Sequence, residues 1–363
     1  MTRKQLTFII IFSLFPIFAF SQEYTPLYSP ETGYVTDLVL LYQGGKPNIT
    51  YTPSHVKPYI FRQNSGDEFE WLFDSFLFLS GRHPNGKVFD GTWGKNSARQ
   101  EEWIWLIDEL FKKNQCLDAI ETTLDSLASK GTKPIRKRKI VVSIPQPVLN
   151  QTDWGKVKGK DLNFTSDKDR LTATNWFVDE VLKSWKKSKF KHIELAGFYF
   201  FKENSKDDEE LIQKIGHHVK SKKMTYYWIP YLWAPGFDKT HDLGFDVAYQ
   251  QPNYFFKKSN LAPEARMDFV LNHAKKHNMG LEMEFNSDIQ YVFFQMRFLD
   301  YLNWFEKFGV WDNASVAYYQ DFQTFREMSL SNDPQIQILY EKLCSIINKR
   351  QTKADAMFHN DIK

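Results

Sequence analysis

The chain has 363 residues, 42% hydrophobic and 17% aromatic, which is enough for one large core and too apolar for disorder. A formal charge of +3 gives no electrostatic footprint for nucleic acid. The KPIRKRK run at 133–139 is the local exception, and it reads as a solvated loop before a strand.

The chain opens with a positive segment (Arg3, Lys4), an apolar stretch at 6–20, and small residues at Ala19 and Ser21. That pattern is a signal peptide over 1–21, cleaved before Gln22, with no cysteine at the cleavage point to take a lipid. The expectation is a secreted or periplasmic protein whose residues 22–363 form one domain with no membrane span.

Strands are expected at DLVLLY (37–42), WLFDSFLFL (71–79), KIVVSI (139–144), HIELAGFYF (192–200), TYYWIPY (225–231), FDVAYQ (245–250), GLEMEF (280–285) and SVAYY (315–319). Between them, apolar residues recur at helical spacing over 99–113, 167–187, 207–222, 263–278, 292–308 and 334–350. Strand alternating with helix makes a parallel sheet, and about eight units make an α/β chain folded as a (β/α)8 TIM-type barrel. A doubly wound open sheet is the alternative, but neither G-x-G-x-x-G nor G-x-x-x-x-G-K-[ST] occurs. The stretch 81–98, rich in Gly, Asn and Lys, reads as a loop over one barrel face. Cys116 and Cys344 are either one disulfide or two buried thiols. No Cys-x-x-Cys or His-x-His spacing suggests a metal, and no cofactor is expected.

A barrel gathers function at the C-terminal ends of its strands. In GLEMEFN, Leu281, Met283 and Phe285 share one parity, while Gly280, Glu282 and Glu284 share the other and point inward. An edge strand with both acids in water is the other reading. Glu284 stands nearer the mouth, and Glu282 one layer deeper, where a bare carboxylate is costly. Strand four ends in ELAGFYFFKEN, which puts Glu203 at the mouth beside Tyr199 and Phe201. Gly197 there permits a bulge or a close approach. Two carboxyls from opposite sides of a mouth suit glycosidic cleavage, with one protonated and one ionised. Trp228, Tyr231, Trp233, Gln250, Asn253, Tyr254 and Tyr319 are the aromatic and amide types that bind sugars. Asp74 and Asp37 are further inward polar candidates.

The segments DSFLFL, DWGK, ELAGFYFFKEN, YWIPYLWAPG, FDVAYQQPNYFF and GLEMEFN together resemble a family of secreted bacterial proteins carrying a domain of unknown function. That resemblance covers nearly all of the chain after the leader. It implies a (β/α)8 barrel similar to glycoside hydrolases. In architecture the chain is also similar to retaining glycosidases of the large barrel clan. That likeness implies Glu203 as acid/base and Glu284 as nucleophile, although KEN stands here where the clan has Asn-Glu. The expected function is glycoside hydrolysis on a polysaccharide or host glycan. The alternatives are a non-catalytic carbohydrate-binding barrel and a metal-assisted hydrolase.

Overall fold

The computed structural model describes residues 23–256 and 262–361. The expected leader lies outside the described residues. Eight parallel strands close into one barrel in sequential order. They are β1 (Asp37–Tyr42), β2 (Ser75–Leu79), β3 (Arg138–Ile144), β4 (Ile193–Phe200), β5 (Thr225–Trp228), β6 (Val247–Gln250), β7 (Gly280–Glu284) and β8 (Val316–Tyr319). Sequential order is what right-handed β–helix–β crossovers produce when the sheet closes on itself.

Alternation along each strand sorts side chains into two apolar layers. The interior holds Leu38, Leu40, Tyr42, Leu77, Leu79, Val141 and Tyr227. The outer layer, between strands and helices, holds Val39, Leu41, Phe76, Phe78, Ile140 and Val142. In β4 the parity changes partway. The pairing of β3 with β4 skips Ala196, passing from Ile140–Leu195 to Val141–Gly197. Residues Ile193 and Leu195 therefore face outward with Phe198 and Phe200, while Tyr199 and Phe201 turn into the interior. A Cβ on Gly197 would lie 1.9 Å from the Thr225 carbonyl oxygen, so only glycine fits this bulge.

The stretch expected as a single strand at 71–79 is two pieces. Phe69–Trp71 pairs antiparallel with Phe61–Gln63, and β2 begins only at Ser75. Asp74 breaks the run by accepting the backbone N–H of Asp37 at 3.0 Å and the Ser75 hydroxyl at 2.7 Å. It lies at the N-terminal floor of the barrel, wholly buried, against Arg136 at 2.5 Å. This corrects the expectation that Asp74 contacts substrate. Asp37 belongs to the same floor, held by Arg350 Nε at 2.7 Å, Gln351 Nε2 at 2.8 Å and the Tyr318 hydroxyl at 2.7 Å.

The basic run at 133–139 is likewise not just a solvated loop, because Arg136, Arg138 and Lys139 are buried in that floor. The last helix, Pro334–Asp361, outruns its expected end. Gln351 and Ala354 are buried, and Asp355 meets Arg136 at 2.8 Å, so the extension closes the floor. Cys116 and Cys344 are free and buried, which decides for two thiols.

Candidate active site

At the opposite, C-terminal end, β7 is aligned with β8 so that Glu282 pairs with Ala317 and Glu284 with Tyr319. Glu282 is 2% exposed and Glu284 1%. Tyr42 ends β1 and Tyr199 lies near the end of β4, both facing the interior. Glu203, in the loop after β4, is exposed to solvent. It bears electrostatically on Glu282, Tyr42, Tyr199 and Tyr319. The fold therefore brings Glu203 and the β7 glutamates into one mouth walled by tyrosines.

The two β7 acids are treated differently. Glu284 Oε1 accepts from Asn253 Nδ2 at 3.1 Å, and its Oε2 accepts from the Tyr254 N–H at 3.1 Å and from the Tyr301 hydroxyl. Burial pushes Glu284 up to about 7, against the pull of Tyr301, Tyr254, Arg266 and Asn253. Burial, then the charges of Glu284 and Glu203, push Glu282 well above the ordinary carboxylate range.

A rim of aromatic rings surrounds these acids. The Tyr42 ring lies 5.9 Å from that of Tyr319, 6.3 Å from Trp93 and 6.2 Å from Phe322. Phe256 lies 5.4 Å from Tyr319. Trp93, Phe256 and Phe322 are 41%, 39% and 43% exposed, flat apolar faces open to a ligand. Trp93 comes from the long loop after β2 and lies flat on Gly81, where a Cβ would meet its ring at 2.5 Å.

Several expected sugar contacts are placed elsewhere. Trp228 is wholly buried in the outer layer, stacked on Phe245 at 4.7 Å, and donates Nε1 to the Lys202 carbonyl at 2.8 Å. Gln250 is wholly buried, with Nε2 on the carbonyls of Pro230 and Gln251 at 3.3 and 3.1 Å. The Tyr254 ring turns outward, and its hydroxyl donates to Asp300 Oδ2 at 2.7 Å. These three are framework groups, because an outward or fully covered side chain meets no ligand. Tyr231 is half-buried. Trp233 is 51% exposed, against Phe269 and Arg266. Asn253 is half-buried and, besides Glu284, accepts the Leu232 N–H at 2.8 Å.

Tyr42, Trp93, Phe256, Phe322 and Tyr301 were not anticipated. Strand parity with Leu38 and Leu40 marks Tyr42 as inward; nothing local marks the others. A groove of about 840 Å³ lies elsewhere, beside Tyr24, Asp238 and Asn278. Its acids, Glu23, Glu31, Asp238 and Asp242, are all exposed, so it lacks the desolvated carboxyls of the mouth. Among the described residues no His, Cys, Asp and Glu cluster could hold a metal, and no helix is long and apolar enough to cross a membrane.

No curated protein matches the chain. Among solved structures, the spore cortex-lytic enzyme SleL of Bacillus cereus is 11% identical over 85% of this chain and 74% of that one, with a TM-score of 0.42. The chitinase ChiB of Flavobacterium johnsoniae is 10% identical over 88% and 94%, with a TM-score of 0.40. The CBM22-1–GH10 modules of Clostridium thermocellum Xyn10B are 11% identical over 97% and 71%, with a TM-score of 0.44. At such identities and scores these likenesses say nothing about chemistry. The model of the domain of unknown function DUF4855 matches residues 37–345, and the chain belongs to that family.

Proposed function

We propose that this protein is a glycoside hydrolase acting on a polysaccharide or host glycan through Glu203 and the carboxyls of β7. The observation that carries this reading is the meeting of three carboxyls, one from the loop after β4 and two from β7, in a tyrosine-walled mouth. Glycosidic cleavage needs one carboxyl that holds a proton at working pH and another that is ionised. Desolvation of Glu282 beside two like charges supports the first requirement, and solvent around Glu203 supports the second. The exposed rings of Trp93, Phe256 and Phe322 suit the C–H faces of sugar units on either side of the scissile bond.

The test is a glycan-library screen for new reducing ends, with E203Q as control. Turnover by the wild type that E203Q loses supports the reading; no turnover on any glycan, or full turnover by E203Q, defeats it. The clamp on both oxygens of Glu284 favours a second reading, a carbohydrate-binding barrel without turnover, which glycan-array binding by an inactive wild type would establish. Export follows in this reading from the leader at 1–21, and N-terminal sequencing of the natural protein should begin at Gln22.

A further inference from the structure

Glu282 and Glu284 share a strand face but not an environment. The donors to Glu284 stand on the loop after β6 and on the helix Val292–Lys307, so its carboxylate is drawn toward the barrel wall. Glu282 accepts no hydrogen bond from any described residue, although it is 2% exposed. It stands level with Ala317, whose side chain is a single methyl. Among the described residues, the titratable groups that bear on it are Glu284 on its own strand, Glu203 after β4, Tyr42 on β1, Tyr199 on β4, Tyr319 on β8 and Tyr301 on the outer helix. The charges bearing most on it, those of Glu284 and Glu203, are both negative.

We propose that Glu282 is the general acid of this site, a neutral carboxyl that gives its proton to the leaving oxygen, with Glu203 the opposing carboxylate and Glu284 a positioning residue. The assignment rests on the glycosidase reading and departs from the roles that the clan architecture implies, where Glu203 is acid/base and Glu284 the nucleophile. A buried carboxyl without donors is far cheaper to keep neutral than ionised. Neutral, it is itself a donor in want of an acceptor, and a glycosidic oxygen in the mouth is one.

The chemistry balances as a double displacement. Glu203 forms a bond to the anomeric carbon as the bond from that carbon to the leaving oxygen breaks, and the Glu282 proton passes to that oxygen. Water then attacks the anomeric carbon and gives one proton to the Glu282 carboxylate. Its hydroxyl stays on the sugar, and Glu203 leaves as carboxylate. The sugar keeps its anomeric configuration.

The experiment compares the wild type with E282Q on an unactivated glycan and on a dinitrophenyl glycoside, whose leaving group needs no proton. Loss of general acid catalysis should cost about 10²–10⁴-fold on the glycan. Formation of the glycosyl-enzyme from the dinitrophenyl glycoside should persist, with azide restoring turnover. Equal loss on both substrates, or no loss, overturns the assignment. Infrared spectroscopy needs no activity: at pH 7 the carbonyl band of protonated carboxyls should persist in E284Q, whereas E282Q should lose most of it and keep only the part that Glu284, raised to about 7, contributes. A wild type without that band overturns the inference. A wild type with the band but no turnover on any glycan defeats the glycosidase reading, and the donor role with it, while leaving the neutral carboxyl standing. For Glu284, E284Q removes a negative neighbour and should move the alkaline limb of the pH–rate profile to lower pH. Mere loosening of the loop would leave that limb in place, and an unmoved limb denies Glu284 the positioning role.

Discussion

Tyr301, on a helix outside the barrel, donates its hydroxyl to Glu284 at the end of β7. The bond joins the outer layer to the mouth, and with Asn253 and Tyr254 it fastens the loop after β6 to the same carboxylate. Removing one partner leaves a buried acceptor short of a donor. Y301F should therefore destabilise the protein by about 1–3 kcal/mol in urea unfolding, with little change in m. It should also raise the Glu284 pKa further, since Tyr301 is the strongest influence lowering it.

Stability should fall as pH rises through neutrality. Glu284 is raised to about 7 and Glu282 is raised well above its ordinary value, so both hold protons in the folded state that an unfolded glutamate has given up. Their contribution is complete below the unfolded value and is lost as pH climbs through the folded one. Differential scanning calorimetry from pH 5 to pH 9 should show a declining Tm, and E282Q should flatten the decline. At the alkaline end E282Q should melt higher than the wild type, by roughly 1–2 °C for each kcal/mol recovered.

The floor should behave in the opposite sense. Burial alone would raise Asp74, but Arg136 and the Asp37 N–H outweigh it and hold its carboxyl below the ordinary range. That contribution is present above the unfolded value and fades in acid. D74N leaves Arg136 without its wholly buried partner, and a loss of about 3–5 kcal/mol is expected in chemical denaturation. Ligand affinity of the folded fraction should be unchanged, because the floor lies at the far end of the barrel from the mouth.

At the β4 bulge, G197A drives a methyl into the Thr225 carbonyl. The neighbour is backbone and cannot swing aside, so β4 and β5 must separate. We expect a loss of about 1–3 kcal/mol. We also expect altered near-ultraviolet circular dichroism, because the bulge is what turns Tyr199 inward.

Trp93 provides the complementary case. Its ring is open to solvent, so W93A should leave Tm nearly unchanged while weakening glycan binding by about 1 kcal/mol, read by isothermal titration calorimetry.

Much of the barrel was legible in the sequence. The eight apolar runs, and the helical spacing between most of them, report local periodicity, and periodicity follows from which face of each element is buried. The inward parity of Glu282 and Glu284 was legible for the same reason, since GLEMEF alternates without a break. Tyr199 came out inward only because of a bulge, which one glycine permits and only the neighbouring strand enforces.

What the tertiary structure alone decided is which polar groups meet. Asp74 resembled Glu284 in sequence, an acid within an apolar run, yet one lies in the floor and the other at the mouth. The difference is set by Arg136 and the backbone of β1, distant partners with no local signature. Tyr301 and Trp93 reach the mouth from a helix and a loop whose positions follow from closure of the whole barrel. The separate environments of Glu282 and Glu284 have the same origin: a strand's own residues fix the direction of a side chain, whereas its proton affinity depends on water excluded and charges brought near by segments far away in the chain.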